Sequence, residues 1–188
     1  MMTTEELKAI DSDKKQSADD FENLVKPVIE KHCAAEIIHL EKLQGKLPLM
    51  LDRHFSTDAL YIKGGKMFGL SSRIQRGKNY YGFSSRAVRD SKTKTEFEKH
   101  SDAIANDDYL PEITIQAYIV GDDLTVGLAN TADVVDFIKK YKPRPIHTSK
   151  GKVGQAEFYP VSWQNFKKKG YHLKIIHEKI KTPSNKTE

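Results

Sequence analysis

The chain carries a single cysteine, Cys33, in 188 residues. One cysteine excludes a disulfide framework and a cysteine-based zinc site, and it leaves no basis for iron–sulfur or other Cys-rich metal chemistry. A reducing, cytoplasmic setting is the expectation. No stretch approaches the roughly 20 apolar residues that cross a bilayer, so no membrane association is expected. The N-terminus, MMTTEELKAIDSDKK, is acidic early and has no apolar run, which is unlike a signal peptide. Several catalytic signatures are also missing. KGGKMFG and SKGKVGQ lack the spacing of a phosphate loop, and neither a G-x-S-x-G elbow nor a His-x-x-x-His zinc pair occurs. Cys33 follows His32 directly, and adjacent residues on a helix do not face each other, so a Cys/His nucleophile is not expected there.

What the chain has is charge, unevenly placed. Lys and Arg number 31 against 26 Asp and Glu, a formal net charge of +5. Residues 1–62 hold 12 acids and 8 bases, residues 63–94 hold 9 bases and the single acid Asp90, residues 95–138 hold 10 acids and only Lys99, and residues 139–181 hold 12 bases and 2 acids. Basic blocks that meet in space make a polyanion-binding surface, and acidic blocks beside them can hold metal ions.

The element pattern is mixed. Residues 1–16 read as a polar, flexible leader. Phe21, Leu24, Val25, Val28, Ile29 and His32 recur at helical spacing, which predicts a helix over roughly 18–35 that Pro27 kinks or shortens. Residues 37–51 are compatible with strand, turn, strand. Ala59–Ile62, a Gly64-Gly65 hairpin turn, Met67 to Gln75, a second turn at 76–79 and a third strand from Tyr80 predict a β-meander. A helix follows over 95–105. Strands are expected at 113–120 and 124–128, with a helix capped by Thr131 after them. Residues 141–154 read as a Pro-, Gly- and Lys-rich loop. A strand at 158–161, a short helix at 163–169 and a last strand at 171–176 complete the pattern. Residues 180–188 read as a disordered tail. One α/β domain of α+β character is expected over 17–179: a core about 18–140 with a mixed sheet flanked by helices, and a basic C-terminal extension over 141–179.

The chemically informative segment is DRHFSTDALYIKGGKMFGLSSRIQ, residues 52–75. Asp58 opens a strand, a hairpin follows, and the returning strand carries Ser71, Ser72, Arg73, Ile74 and Gln75. Residues 71 and 73 share one face, since strand side chains alternate. This layout resembles the PD-(D/E)XK nuclease superfamily, the restriction-endonuclease-like fold, over roughly residues 18–120. Its core runs helix, three-strand meander, helix, strand, with an Asp opening one strand and a (D/E)-x-K triplet on the next. The resemblance implies Asp58 as the metal-binding acid. Ser71 falls at the second acidic position and Arg73 at the lysine. Serine supplies no charge, and arginine stabilises a phosphorane but is too basic to act as a base. A displaced acid is therefore expected, from Asp52, from Glu96 or Glu98 on the helix after the meander, or from Glu22, Glu30 or Glu36.

The expected function is metal-dependent hydrolysis of phosphodiester bonds in DNA, with Mg²⁺ or Mn²⁺ held by Asp58, Asp52 and Glu98. Asp58, Arg73, Gln75 and Glu96 are the candidate catalytic residues, with Arg73 as electrostatic clamp and Gln75 orienting water or backbone. Arg76, Lys78, Tyr80, Arg86, Arg89 and Lys92 interleave cations with an aromatic, as a nucleic-acid contact surface does. A homodimer is the expectation where both strands are cut. Two alternatives stand beside this: an inactive nucleic-acid-binding protein on the same fold, and a small protein-interaction or inhibitor factor.

Overall fold

The structure is a computed structural model. It describes residues 12, 15–43, 45, 46, 50, 51, 56–88, 94–147 and 157–180. The amphipathic segment near the N-terminus divides into a π-helical turn, Phe21–Val25, and helix α1, Lys26–Cys33. Pro27 accounts for the division. It has no N–H to donate to the preceding turn, and it sits in the first turn of α1, where that donor is not needed. Phe21, Val25, Val28 and Ile29 form the buried stripe.

Six strands make one mixed sheet: β1 (Glu36–His39), β2 (Ala59–Lys63), β3 (Lys66–Arg76), β5 (Ile113–Val120), β6 (Asp123–Asn130) and β9 (Lys174–Lys179), in that spatial order. β3 and β5 are parallel and every other neighbouring pair is antiparallel. A second sheet has the order β4 (Gly82–Val88), β8 (Glu157–Ser162), β7 (Ile146–His147). Helices α2 (Glu96–Ala105), α3 (Thr131–Tyr141) and α4 (Trp163–Lys168) complete the fold, a mixed α/β domain with a sheet flanked by helices. No helix of the described residues is long and apolar enough to cross a membrane.

The meander is present but displaced by one strand. It consists of β1, β2 and β3, and no returning strand for β1 occurs among the described residues of 37–51. The strand from Gly82 leaves for the second sheet, because Gly77 at φ 93° and Tyr81 at φ 46° redirect the chain and β5 takes the edge of β3. A parallel neighbour needs a long crossover, and β4 and α2 lie within it. Of the described residues of 141–179, β8 centres the second sheet and β9 closes the edge of the first. The last strand begins at Lys174, three residues later than its pattern suggests. The cap of α3 is Asn130, whose side chain accepts from the Ala132 N–H at 2.8 Å, one residue before Thr131.

Strand alternation sorts the six-stranded sheet into two faces. Ala59, Tyr61, Leu70, Ile115, Ala117, Ile119 and Val126 face α1 and build the first core cluster. The opposite face packs Tyr118 and Ala129 into a second cluster with Phe83, Val134, Phe137, Val161, Trp163 and Phe166. Trp163 lies against Gly127 so closely that a Cβ there would stand 2.4 Å from the indole ring.

Candidate functional site

Register places the key residues. The β2–β3 hairpin closes at Lys63 opposite Lys66 through Gly64 and Gly65, both at positive φ, as a two-residue Gly-Gly turn requires. That register sets Ala59 opposite Leu70, so Asp58 arrives one residue before β2 with its N–H donating to the Leu70 carbonyl at 2.8 Å. Its own carbonyl accepts from the Leu40 N–H at 2.9 Å. The Asp58 Oδ2 accepts from the Ser72 N–H at 2.5 Å and from the Ser72 hydroxyl at 3.2 Å. Main chain on both sides and Ser72 on one oxygen hold this carboxylate at the mouth of the strand.

Across from β3, the parallel register pairs Ser71 with Thr114, Arg73 with Gln116 and Gln75 with Tyr118. These residues share the face turned away from α1. The Arg73 guanidinium donates to Glu96 Oε2 at 2.7 Å and lies 4.5 Å from the centre of the Phe158 ring. The Arg86 guanidinium lies 5.6 Å from the same ring, so one aromatic side chain of β8 positions two cations. Glu96 enters at the first residue of α2. That helix begins with a capping box: Thr95 accepts from the Glu98 N–H at 3.3 Å, and the Glu98 carboxylate accepts from the Thr95 N–H at 2.7 Å. Burial works against the Glu96 charge, but Arg73, His100 and Arg86 outweigh it and hold the carboxyl below its usual range. Glu96 is therefore ionised at neutral pH.

These groups line one cleft of about 190 Å³, walled by Asp58, Ser71, Arg73, Arg86, Lys99 and Glu96, with Lys94, Ser56, Ser72 and Thr95 completing the lining. Two carboxylates and four cations give it a positive balance. The structure thus brings together Asp58, Arg73, Glu96 and Arg86 from the sequence expectation. Gln75 shares their face but does not line the cleft. Glu98 is engaged in the helix cap rather than in the cleft wall, a role its place at the third helical position already suits. Arg76 faces the other side of the sheet, where Asp20 accepts two hydrogen bonds from it at 2.6 and 2.7 Å. Lys78 and Tyr80 lie in the turn after β3, away from this cleft. Asp52, Arg89 and Lys92 lie outside the described residues. The remaining acid candidates are also placed: Glu22 pairs with Lys26 and Lys42, Glu30 accepts from the Ile37 N–H at 2.8 Å, and Glu36 opens β1 exposed to solvent.

Comparison with protein-family models, with curated proteins and with solved structures finds no match.

Sequence reasoning missed three participants. His100 is 2 % exposed and lies one helical turn after Glu96, on the same side of α2; that i, i+4 spacing was the available signal. Phe158 and Lys99 come to the cleft from a strand of the second sheet and from α2, and nothing local marked them. Among the described residues no three His, Cys, Asp or Glu side chains cluster as a metal site. The donor set of the cleft is two carboxylates with the Ser71 and Ser72 hydroxyls, all hard oxygen ligands. Mg²⁺ is commonly bound through one or two carboxylates together with substrate phosphates, and Asp58 and Glu96 are the two carboxylates that this cleft offers.

Proposed function

We propose that this chain is a metal-dependent nuclease that hydrolyses phosphodiester bonds in DNA, built on a restriction-endonuclease-like core and working in the cytoplasm. The observation that carries the reading is the convergence of Asp58, Arg73 and Glu96, from three separate elements, on one positively balanced cleft. The order of α1, the β1–β3 meander, α2 and β5 supports it, since the resemblance implies helix, meander, helix, strand, with β4 inserted between the meander and α2 and paired into the second sheet. Asp58 and Glu96 are the residues to hold a divalent ion, with Glu96 as the displaced acid that Ser71 calls for. A divalent ion held there would supply an activated water and neutralise charge on the phosphate. Arg73, Arg86 and Lys99 hold the phosphate oxygens and stabilise the negative charge that grows on them. Arg73 serves as clamp and not as base, because its guanidinium does not deprotonate.

A second reading has a specific observation in its favour. The 2.7 Å bond between Arg73 and Glu96, with an uncharged Ser71, suits a site that binds nucleic acid without cutting it. That reading predicts binding without metal and with a steep dependence on salt. The deciding experiment incubates the purified protein with labelled duplex, single-stranded and branched DNA and with RNA, in Mg²⁺ or Mn²⁺, with EDTA and Asp58→Ala as controls. Metal-dependent cutting that Asp58→Ala abolishes supports the nuclease. Salt-sensitive binding without cutting supports the second reading. Absence of both cutting and binding would sink both readings and leave the protein-interaction alternative.

A further inference from the structure

The turn that carries the chain from β3 to β4 exposes two aromatic rings. Tyr80 is 62 % exposed and Tyr81 is 56 % exposed. Two neighbouring exposed tyrosines beside a lysine make the kind of surface on which unpaired bases stack. The Lys78 ammonium lies 5.9 Å from the centre of the Tyr80 ring. Tyr81 has φ 46°, a left-handed conformation that a bulky residue adopts only when its surroundings impose it. They do so at three points. The Tyr81 N–H donates to Asn79 Oδ1 at 2.8 Å, its carbonyl accepts from the Trp163 N–H at 2.9 Å, and its ring meets the Trp163 ring edge-on at 6.2 Å.

Beside this turn lies a groove of about 550 Å³, lined among others by Lys78, Asn79, Tyr81, Leu124, Thr125 and His177. That volume is in the range of small-ligand sites. The Thr125 hydroxyl and His177 Nδ1 are hydrogen-bonded at 3.2 Å, which sets the imidazole orientation and leaves Nε2 outside that bond. The groove lies at the C-terminal ends of β3 and β5. Only seven residues of chain separate Lys78 from Ser71 in the cleft, at most about 25 Å of extended backbone.

We propose that Lys78, Tyr80 and Tyr81 form a stacking site for an unpaired nucleotide, so that the chain prefers DNA with a single-stranded segment over a fully paired duplex. The proposal rests on the nuclease reading for the class of ligand and deepens it by naming the form of the substrate. Tyrosine rings take any base on their π-faces, the lysine meets the phosphate, and the groove accepts the base edge. A fully paired base keeps its faces covered by its neighbours.

The test is fluorescence anisotropy in EDTA at fixed salt. A labelled single-stranded 12-mer and the blunt duplex of the same sequence are titrated with wild type, Tyr80→Leu and the Tyr80→Leu/Tyr81→Leu double variant. Wild type should bind the single strand more tightly than the duplex. Tyr80→Leu, which removes an exposed ring with no packing role, should weaken single-strand binding about 5-fold or more, and the double variant further, with duplex binding unchanged. Equal single-strand binding by wild type and Tyr80→Leu would overturn the proposal. Binding of neither oligonucleotide would also overturn it. The two readings fail separately: loss of the single-strand preference with cutting intact removes only the stacking site, and absence of cutting with the preference intact removes only the nuclease.

Discussion

The two faces of the six-stranded sheet differ sharply in chemistry, although the same strands make both. Facing α1, β2, β3, β5 and β6 present Ala59, Tyr61, Leu70, Ile115, Ala117, Ile119 and Val126, which close an apolar layer, with the Arg76–Asp20 pair on the same side at the end of β3. One residue further along, the same β3 and β5 present Ser71, Arg73 and Gln75 beside Thr114, Gln116 and Tyr118. Gln116 is 1 % exposed, and among the described residues its Nε2 finds no acceptor, although its Oε1 accepts from the Ser84 hydroxyl at 3.0 Å. Burying a donor in that way costs about 1–3 kcal/mol. Stability alone favours apolar residues there. The contrast teaches that the face toward α1 holds the fold and that the opposite face gives up part of its packing to a polar site.

Substitutions on the two faces sharpen that division. The largest loss of stability is expected on the apolar side. Leu70→Ala opens a cavity between β3 and α1 and should cost about 2–5 kcal/mol in urea unfolding. A loss under about 1 kcal/mol would mean that the layer is loosely packed and the division is wrong.

Glu96→Gln comes next, at about 2–3 kcal/mol, because it strands the partly buried Arg73 guanidinium. The pH dependence has a definite sign. The folded-state pKa of Glu96 lies below the ordinary value of 4.5, so its contribution is present above pH 4.5 and is lost as pH falls through the lowered pKa. The gap between wild type and Glu96→Gln should therefore be constant from pH 8 to pH 5 and shrink in stronger acid. A gap that opens in acid would contradict the ion pair.

Tyr118→Phe should cost about 1–2 kcal/mol, since the Tyr118 hydroxyl donates to the Gly82 carbonyl at 2.7 Å and links the two sheets. Burial raises this phenol from 10.0 to about 12. Its contribution is accordingly full below pH 10 and lost as pH rises through about 12, which spectroscopic titration of the tyrosines together with unfolding would show. The smallest effect belongs to the exposed pair Lys179–Asp123 at 2.7 Å, where Lys179→Ala should change stability by only a few tenths of a kcal/mol, less still at high salt.

Much of this division is legible in the sequence. The alternation through Leu70, Ser71, Ile74 and Gln75 announces a strand with one apolar and one polar face, and Gly64-Gly65 announces its hairpin. Asp58, Arg73 and Glu96 were named because the resemblance to the nuclease layout implies an acid at the strand opening, a cation on the returning strand and a displaced acid on the following helix, and the structure brings the three to one cleft. The partner of β3 was not legible. Nothing in residues 80–88 distinguishes a third meander strand from one that leaves for another sheet, since that choice depends on β5 competing for the same edge. Arg76 shows the same limit: it belongs to the basic block by sequence, yet strand alternation turns it toward Asp20. Phe158, which positions both Arg73 and Arg86, is more than 70 residues from either, and contacts at that separation leave no local pattern.

The most direct test of the polar face as the working face measures DNA cutting in Mg²⁺ and in EDTA by wild type, Asp58→Asn and Glu96→Gln, each shown to be folded by its unfolding transition. The account predicts metal-dependent cutting by wild type and its loss in both folded variants. Absence of cutting by wild type, or cutting that survives in a folded Glu96→Gln protein, would contradict it.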